Sequence, residues 1–573
     1  MEKWMEVLVG LDVKYLDVYI GALRYLMPIL VLILLIRCVK PLISFRQEPE
    51  IWAWLCLPDG RKLSITHWES VIGRSKRSDV VIDFPTVSRN HAVLTRYDDG
   101  SWTISDAGSK DGVKVNGKPV KIHALQPEDV ISIGGVEMTL QPISKRQVAR
   151  LIQLRTKAGS TWDNVANLLL LSVIECLVCL GYVLASGGEN LSAYSLGFGG
   201  IMVLQWALFV FYVCIRRVSF EVETIAFFLC TMGMAAIATD CPTEAGKQLI
   251  ACVLGVLTFL ALGWSLRDLE RAKKFRYIAT AAGVGFLVLT LLFGKELHGA
   301  KNWIVIGSYS FQPSELSKIC FVYAGASTMD RIMTKRNLIL FIVYSVIICA
   351  LLALMNDFGT ALIFFCAFLV IAYLRSGSVG TLGLACTALG FAGVLAVKIA
   401  PHAMRRFTAW RHIWEDPLGT GYQQPRALMC IASGGLLGLG AGQGKMKNIF
   451  AADSDMVFAT VSEEWGLLAA LMMILCVAAL AVFAVRSAAV ARSSFYTIGA
   501  CTAASILVVQ TILNALGTVD VVPLTGVTFP FVSNGGSSMI CTWGLLAFIK
   551  AADTRAGGSF AVRQLKIGGE EDE

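Results

Sequence analysis

Apolar residues follow one another in runs of about 20 between Asn164 and Phe548, and polar residues are mostly confined to the breaks between runs. A run of this length is what an α-helix needs to cross the hydrocarbon core of a membrane. The pattern predicts about twelve spanning helices in this part of the chain. Their starts, to within about four residues, are predicted near residues 166, 197, 220, 246, 277, 311, 338, 358, 379, 456, 494 and 528.

One further apolar run precedes these, at Tyr19–Ile36, and is followed by Arg37, Lys40 and Arg46. The upstream flank holds four acidic residues, Glu2, Glu6, Asp12 and Asp17, and no small-residue cleavage site follows, which is not the pattern of a signal peptide. Basic residues beside a span favour its cytoplasmic end. We therefore predict an uncleaved N-terminal membrane anchor over residues 1–46, with its C-terminal end in the cytoplasm.

A different pattern occupies residues 51–143, where short stretches of alternating hydrophobic and polar residues are separated by turn sequences. Pro58-Asp59-Gly60, Asp98-Asp99-Gly100 and Asn116-Gly117 are such turns. Many short strands at this spacing are typical of a compact all-β sandwich. The basic residues of the following segment, 144–163, predict a linker at the cytoplasmic membrane surface.

Groups of basic residues in the long apolar region recur at the ends of the predicted spans, in every second loop and after the last span. These groups are Arg216–Arg217, Arg267–Arg276, Arg331–Arg336, Arg375, Arg486–Arg492 and Lys550–Arg555. Cytoplasmic loops are enriched in Lys and Arg, so all six are predicted to be cytoplasmic, on the same side as the β-sandwich. The membrane domain is then 164–552, the tail 553–573 is cytoplasmic, and the long loop Pro401–Ser454 is extracytoplasmic.

The composition fits an α-helical polytopic membrane protein with one inserted β domain. Of 573 residues, 55% are hydrophobic and 16% charged, and the mean hydropathy is +0.63. Soluble domains carry about 25% charged residues. Much of the net charge of +8 lies in short loops, which favours membrane topology over nucleic-acid binding. The 16 cysteines lie mostly within apolar runs and are interpreted as small hydrophobic residues.

Four motifs within the predicted β-sandwich occur in a fixed order. They are Ile72-Gly73-Arg74, Val87-Ser88-Arg89-Asn90-His91-Ala92, Asp106-Ala107-Gly108-Ser109-Lys110-Asp111-Gly112-Val113 and Val115-Asn116-Gly117. A guanidinium and a hydroxyl carried on loops give charge-assisted hydrogen bonds to phosphate oxygens. The motifs resemble those of forkhead-associated (FHA) domains, which bind phosphothreonine peptides. The resemblance implies that Arg74 and Ser88 contact the phosphate and that His91 braces the loop carrying Ser88.

One position departs from the FHA pattern. Asp111 lies where the family usually has an asparagine that holds the peptide backbone. A carboxylate has no hydrogen to donate, and it repels phosphate. Lys110 beside it supplies a compensating positive charge, so the expected partner of this domain is a threonine-phosphorylated cytoplasmic protein.

Polar residues within or at the ends of membrane spans are costly and therefore indicate function. Five such groups occur, at Gly299–Trp303 with Phe311–Lys318, Asn356–Thr360, Glu415–Gln423 with Ser433–Gly444, Asp455–Ala459 with Glu463–Gly466, and Gly526–Ser538. Glu315 and Lys318 are three residues apart on one helical face, where they can form an ion pair. The acidic side chains gather on the predicted extracytoplasmic side, beside the long loop.

The order of these groups resembles the SEDS family of bacterial plasma-membrane proteins (FtsW, RodA and SpoVE), closely over about residues 277–550. That family polymerises lipid II, a disaccharide linked to undecaprenyl diphosphate, into peptidoglycan strands, and it works with a class B penicillin-binding protein. By this resemblance Asp455 is the essential acidic residue. The resemblance also implies that three residues match polar positions lining the central cavity, namely Glu315, Lys318 and Asp357. Trp303 matches a functionally important loop tryptophan.

Glycosyl transfer needs a base that removes a proton from a sugar hydroxyl and positive charge that stabilises the departing diphosphate. An aspartate at the mouth of a helix, such as Asp455, can be the base. Arg405 and Arg406, in the long outer loop, are candidates for contacting the diphosphate. A divalent cation is the other source of positive charge that this chemistry allows. No metal ligands are assigned from the sequence.

The chain departs from the SEDS pattern at several positions. The altered positions are Asn302, Ser310, Ala451, Asp453 and Asn534, where the family usually has Arg, Arg, Glu, His and Tyr. Three functions remain open: a peptidoglycan glycosyltransferase for cell division or cell shape, a lipid II transporter, and a non-catalytic scaffold that recruits a class B penicillin-binding protein. The retained Asp455 favours the enzyme, whereas the altered neighbours favour the scaffold.

Overall fold

The computed structural model describes residues 13–44, 51–76, 78–97, 100–144, 159–297, 300–307, 309–329, 335–376, 379–399, 401–419, 421–491, 493–555 and 557–561. Residues 145–158 of the predicted linker and the predicted tail beyond residue 561 lie outside these ranges. The described chain contains a β-rich unit near its N-terminus and a bundle of apolar helices.

The β-rich unit is built from short strands. They are β1 (Ala53–Cys56), β2 (Lys62–Ile65), β3 (Glu69–Gly73), β4 (Val80–Val81), β5 (Ala92–Arg96), β6 (Trp102–Asp106), β7 (Val113–Val115), β8 (Lys118–Val120), β9 (Ile122–Leu125), β10 (Val130–Ile133) and β11 (Val136–Pro142). They form one sheet in the order β2-β1-β11-β10-β7-β8 and a second in the order β4-β3-β5-β6-β9. Alternate residues such as Ile104, Ile131 and Ile133 are fully buried. The predicted β-sandwich is confirmed.

The Asn116-Gly117 turn joins β7 to β8 with a positive φ at both residues, 51° and 76°. This backbone matches the twist of a two-residue hairpin and favours Asn-Gly. The Asn116 side chain donates to Asp129 Oδ1 at 2.7 Å and accepts from the Val130 N–H at 2.9 Å. Hydrogen bonds from the Gln126 N–H and from Asn116 lower the pKa of Asp129. The turn is therefore fixed to a neighbouring strand.

The rest of the described chain is mostly helical. The helices are α1 (Val13–Ser44), α2 (Thr161–Ala185), α3 (Leu191–Cys214), α4 (Glu221–Asp240), α5 (Ala245–Leu266), α6 (Leu269–Phe293), α7 (Pro313–Met329), α8 (Lys335–Leu354), α9 (Phe358–Ser376), α10 (Val379–Ile399), α11 (Pro401–Ala409), α12 (Gln423–Gly434), α13 (Val457–Ala488), α14 (Ser494–Thr518) and α15 (Gly536–Ala551). Between α6 and α7 lie β12 (Lys295–Leu297), β13 (Ala300–Ile306) and β14 (Tyr309–Phe311). Ten of the described helices are long and apolar enough to cross a membrane. Helices α7, α10 and α15 occupy the other predicted positions.

The last predicted span starts later than the apolar pattern indicates. A start near residue 528 was expected, but α15 begins at Gly536. Pro530 has no N–H for a helical hydrogen bond, and Phe531 has a φ of 64°, outside the right-handed helical region. The segment before Gly536 is therefore irregular.

Helix α1 is an integral part of the bundle, because it packs against α2, α4 and α13. The Tyr19 hydroxyl donates to the Leu177 carbonyl oxygen at 2.7 Å. Ile20 lies against Gly440, where an added Cβ would be only 2.2 Å from Ile20 Cγ2. Helix α1 therefore covers the loop that contains Gly440.

Helix α13 is interrupted inside the bundle at Gly466, which has a φ of 85°. The carbonyl groups next to this break are satisfied by the loop that follows α12. Leu439 N–H donates to the Glu463 carbonyl oxygen at 2.8 Å, and Gly440 N–H donates to that of Glu464 at 2.9 Å. Irregular backbone at membrane depth is tolerated when protein groups satisfy it in this way.

A buried ionic cluster fastens the segment after α15 to the start of α4. Arg555 donates from Nε and Nη2 to Asp553 at 2.9 and 2.8 Å, and Lys550 Nζ donates to Glu223 Oε2 at 3.0 Å. Ser219 Oγ accepts from Arg555 Nη2 at 2.8 Å. Burial raises the pKa of Asp553, but the charge and hydrogen bonds of Arg555 outweigh burial and lower it. The cluster is thus a satisfied structural clamp.

Candidate active site and phosphopeptide site

Asp455 lies in a half-buried turn immediately before α13 and faces Gly526. A Cβ added at Gly526 would lie 3.3 Å from Asp455 Oδ2 and 3.8 Å from Arg406 Nη2. Arg406, on α11, also donates from Nη1 to the Thr525 carbonyl oxygen at 2.8 Å. Arg405 beside it is exposed. The fold therefore brings a carboxylate and a guanidinium to one short segment, the combination that proton removal and diphosphate stabilisation require.

Two of the altered positions beside this turn contact each other. Asn534 Nδ2 donates to Asp453 Oδ2 at 2.7 Å and to Glu244 Oε2 at 3.0 Å, while the Asn534 N–H donates to the Asp453 carbonyl oxygen at 2.8 Å. Burial raises the pKa of Asp453, and the hydrogen bond from Asn534 opposes that rise. The two departures from the family pattern thus form one hydrogen-bonded pair.

Asp357 is a junction between three segments and is 9% exposed. Its Oδ2 accepts from Asn302 Nδ2 at 3.2 Å and from Gln312 Nε2 at 3.4 Å, and its Oδ1 accepts from the Thr360 N–H at 3.1 Å. These partners come from β13, from the residue before α7 and from α9. Asp357 therefore ties the small β12–β14 sheet to the bundle.

Glu315 and Lys318 form the ion pair that their spacing predicts, with Lys318 Nζ 2.6 Å from Glu315 Oε1. The two residues are 3% and 1% exposed. Within the described chain, Glu315 Oε2 and Ser314 Oγ are buried without a hydrogen-bond partner. Leaving buried polar atoms unpaired is costly, and a role in catalysis is one of the explanations for such atoms in native proteins.

Trp303 lies on β13, where it pairs with Lys295 on β12. The neighbouring Lys301 N–H donates to the Met355 carbonyl oxygen at 3.0 Å, which fixes this hairpin beside the start of α9. Trp303 directly follows Asn302, the residue that donates to Asp357, and it is partly exposed.

The structure gives two polar residues, Glu464 and Asn514, hydrogen-bond partners that the sequence did not indicate. The Glu464 carboxylate is buried and accepts from the Tyr182 and Thr239 hydroxyls at 2.7 and 2.8 Å and from the Gly444 N–H at 3.1 Å. Asn514 on α14 is hydrogen-bonded to the Asp455 turn. An amide side chain within an apolar span was the signal that could have identified Asn514.

In the β-sandwich, Ser88, Lys110 and His91 are joined by hydrogen bonds. Ser88 Oγ accepts from the Lys110 N–H at 3.1 Å, and His91 Nδ1 accepts from the Ser88 N–H at 3.0 Å. Because Nδ1 accepts, the ring proton is assigned to Nε2, which lies 3.0 Å from the Gly112 carbonyl oxygen. Buried His91 therefore spans the two loops that carry the motifs.

Arg74 lies next to these loops with an exposed side chain. Its N–H donates to the Ser88 carbonyl oxygen at 3.0 Å, and its Nη1 donates to that of Pro85 at 3.2 Å. Lys110 and Asp111 are exposed on the facing loop. The residues that the FHA resemblance selects thus come from adjoining loops.

Within the part of the chain that the structure describes, no group of three or more His, Cys, Asp or Glu side chains is arranged to hold a metal ion. The divalent cation that the chemistry allows has no such site among those residues. Arg406 supplies positive charge near Asp455.

Together these features define a multi-pass membrane protein with a polar site at the end of its helical bundle and an inserted β-sandwich. The chain belongs to the FtsW/RodA/SpoVE family, whose model, described as "Cell cycle protein", matches residues 224–556. The β-sandwich is an FHA domain, since the FHA model matches residues 70–134.

Several characterised proteins resemble the chain. "Peptidoglycan glycosyltransferase RodA" of Mycobacterium tuberculosis is 29% identical in an alignment 325 residues long that covers 53% of this chain and 69% of that protein. "Stage V sporulation protein E" of Bacillus subtilis is 30% identical in an alignment 275 residues long that covers 44% of this chain and 72% of that protein. The fold also resembles a chain in a solved structure described as "Structural coordination of polymerization and crosslinking by a peptidoglycan synthase complex". The TM-score is 0.50 at 25% sequence identity, and the match covers 58% of this chain and 96% of that chain.

Proposed function

We propose that the membrane domain is a peptidoglycan glycosyltransferase that polymerises lipid II into glycan strands for cell division or cell-shape maintenance. The observation that carries this proposal is the convergence of Asp455 and Arg406 at Gly526. Family membership supports the substrate class, because relatives of the chain are named peptidoglycan glycosyltransferases.

In the proposed reaction an acceptor sugar hydroxyl forms a new C–O bond to the anomeric carbon of the donor, and the bond from that carbon to undecaprenyl diphosphate breaks. Asp455 takes the proton of the attacking hydroxyl. Arg406, with Arg405 adjacent on α11, offsets the negative charge of the departing diphosphate. Both charges are in place before the reaction, which reduces the cost of reorganisation.

The cavity that holds the sugars and lipid is proposed to be lined by Glu315, Lys318 and Asp357, with Trp303 at its rim. The burial of the Glu315–Lys318 pair supports this role, since charged groups inside a membrane are kept mainly where they serve a substrate or an ion. The hydrogen bonds of Asp357 support a role in shaping the cavity mouth.

In the proposed topology the FHA domain is cytoplasmic, and so are the N-terminal and C-terminal ends of the membrane domain. The domains are the anchor 1–46, the FHA domain 51–143, the linker 144–163, the membrane domain 164–552 and the tail 553–573. The alternation of basic loops supports it. A cysteine introduced at Gly100 should resist impermeant maleimide in intact cells, and labelling from outside would contradict the topology.

The FHA domain is proposed to bind a threonine-phosphorylated cytoplasmic protein through Arg74 and Ser88, with Lys110 and Asp111 beside the peptide and His91 holding the loops. The hydrogen bonds between these loops support the assignment. A class B penicillin-binding protein is the proposed partner of the membrane domain, supported by the similarity to a chain from a peptidoglycan synthase complex.

The decisive experiment is polymerisation of purified lipid II by the full chain and by Asp455→Asn, with and without a candidate penicillin-binding protein. Asp455→Asn keeps the side-chain size but removes the base, so the rate should fall by about 100-fold or more. Glu189→Gln is the matched control, because Glu189 is an exposed carboxylate in the loop after α2; it should retain activity.

Full activity of Asp455→Asn would refute the catalytic assignment. A wild-type chain that forms no polymer, yet binds a penicillin-binding protein, would favour the scaffold. Protein-dependent movement of fluorescent lipid II across vesicles, without polymer, would favour the transporter.

A further inference from the structure

The turn that carries Asp455 is held through its backbone carbonyl groups. Four consecutive carbonyl oxygens, from Ala452 to Asp455, each accept a hydrogen bond from a group outside the turn. The donors are the Thr460 hydroxyl to Ala452 (2.6 Å), the Asn534 N–H to Asp453 (2.8 Å), the Ser533 hydroxyl to Ser454 (2.6 Å) and the Asn514 amide to Asp455 (3.0 Å). Successive peptide planes of the turn are thereby fixed.

Two of these donors also hold the segment that faces the Asp455 carboxylate. Asn514 Nδ2 donates to the Val527 carbonyl oxygen at 2.8 Å, and Ser533 Oγ accepts from the Phe529 N–H at 2.8 Å. Asn514 and Ser533 are each 2% exposed, so water competes little for these bonds. The two side chains therefore fix the turn and the facing segment relative to each other.

We infer that Asn514 and Ser533 are positioning residues that hold Asp455 in the geometry for proton removal, an inference that rests on the proposed function. The approach they preserve is close, since an added Cβ at Gly526 would lie 3.3 Å from Asp455 Oδ2. Gly526 also has a φ of 68°, which favours glycine. A displacement of about 1 Å at a reacting group can cost about 100-fold in rate.

The test uses the full chain with lipid II and the variants Ser533→Ala, Ser533→Thr and Asn514→Leu. Ser533→Ala and Asn514→Leu should lower kcat by about 10- to 100-fold with little change in KM, because they disturb the base and leave substrate binding intact. Ser533→Thr keeps the hydroxyl and should recover most of kcat. Ser345→Ala is the control, because the Ser345 hydroxyl donates within its own helix, α8, to the Phe341 carbonyl oxygen at 2.8 Å.

A second arm repeats both changes in the Asp455→Asn background. Residues that act through Asp455 should cause no further loss once the carboxylate is gone. Losses that simply add in both backgrounds would overturn the inference, as would a wild-type kcat in Ser533→Ala and Asn514→Leu.

A third arm does not depend on activity. Amide hydrogen exchange across residues 451–456 should be faster in Ser533→Ala and Asn514→Leu than in the wild type and in Ser345→Ala. Unchanged exchange would refute the inference even if the chain forms no polymer. An active Asp455→Asn instead refutes the proposed function, so the two failures are distinguishable.

Discussion

Replacing Arg74 tests how the FHA domain binds phosphate. The Arg74 side chain is exposed, and among the described residues its guanidinium makes one hydrogen bond, from Nη1 to the Pro85 carbonyl oxygen at 3.2 Å. A guanidinium has five N–H donors, so several remain for a phosphate group. Arg74→Ala removes all of them but leaves the buried loop contacts of His91 in place.

The size of the effect follows from the bonds that are lost. A hydrogen bond to a charged group contributes about 1.5–3 kcal/mol, so two such bonds contribute about 3 kcal/mol or more. Since 1.4 kcal/mol corresponds to about tenfold in Kd, Arg74→Ala should weaken phosphopeptide binding by at least about 100-fold. Polymerisation by the membrane domain should be unaffected, because the catalytic assignment does not involve the FHA domain.

The assay is a titration of isolated residues 51–143, whose two sheets enclose their own core. Threonine-phosphorylated and unphosphorylated forms of one partner peptide are compared. Arg61→Ala is the control, since Arg61 is an exposed arginine that pairs with Asp59 at 2.5 Å. Asp111→Asn should strengthen binding, because it removes a repulsive charge and adds a donor.

Equal affinity for the two peptides, unaltered by Arg74→Ala, would refute this reasoning. The domain would then be a docking module that does not depend on phosphate. A loss of equal size in Arg61→Ala would show that net charge, rather than the Arg74 fork, sets the affinity.

Three other changes have defined outcomes. Arg555→Ala leaves the buried Asp553 carboxylate without its arginine partner and should destabilise the chain by about 3–5 kcal/mol, measured by thermal unfolding in detergent. The pKa of Asp553 is lowered in the folded state. The stability advantage of the wild type over Arg555→Ala should therefore disappear as the pH falls below the ordinary range of an aspartate. An unchanged unfolding temperature would contradict the clamp. His91→Ala should lower the stability of the isolated FHA domain by about 1–3 kcal/mol for each buried group left unpaired. It should also weaken phosphopeptide binding. A variant with wild-type stability and wild-type affinity would exclude the bracing role of His91. Gly440→Ala should destabilise the bundle, because the new Cβ would lie 2.2 Å from Ile20 Cγ2, and Ile20→Ala should relieve part of that loss in the same assay.

The features that the sequence predicts well depend on neighbouring residues. The Asn116-Gly117 pair predicts a hairpin because few other residues adopt two positive φ angles in succession. The Glu315–Lys318 ion pair follows from helical spacing alone. The β-sandwich and the positions of the long helices follow from the period and length of apolar runs.

The features that escaped prediction depend on residues far apart in the chain. Asn514 and Ser533 reach carbonyl groups of the Asp455 turn across 59 and 79 positions, and no spacing rule connects them. The late start of α15 at Gly536 depends on Phe531, whose φ of 64° has no signature in an apolar run. The pairing of Asp453 with Asn534 likewise becomes visible only in three dimensions.

The FHA domain is inserted between α1 and α2, two helices that pack against each other. Residues 45–50 separate α1 from the β-sandwich, and a connector of this length reaches about 20 Å at most. A captured partner is therefore confined to a thin layer beside the bundle, where its local concentration is of the order of millimolar. Because the chain fastens the domain to the bundle at both ends, a protease that cuts one connector leaves the FHA domain attached, and detaching it requires a second cut.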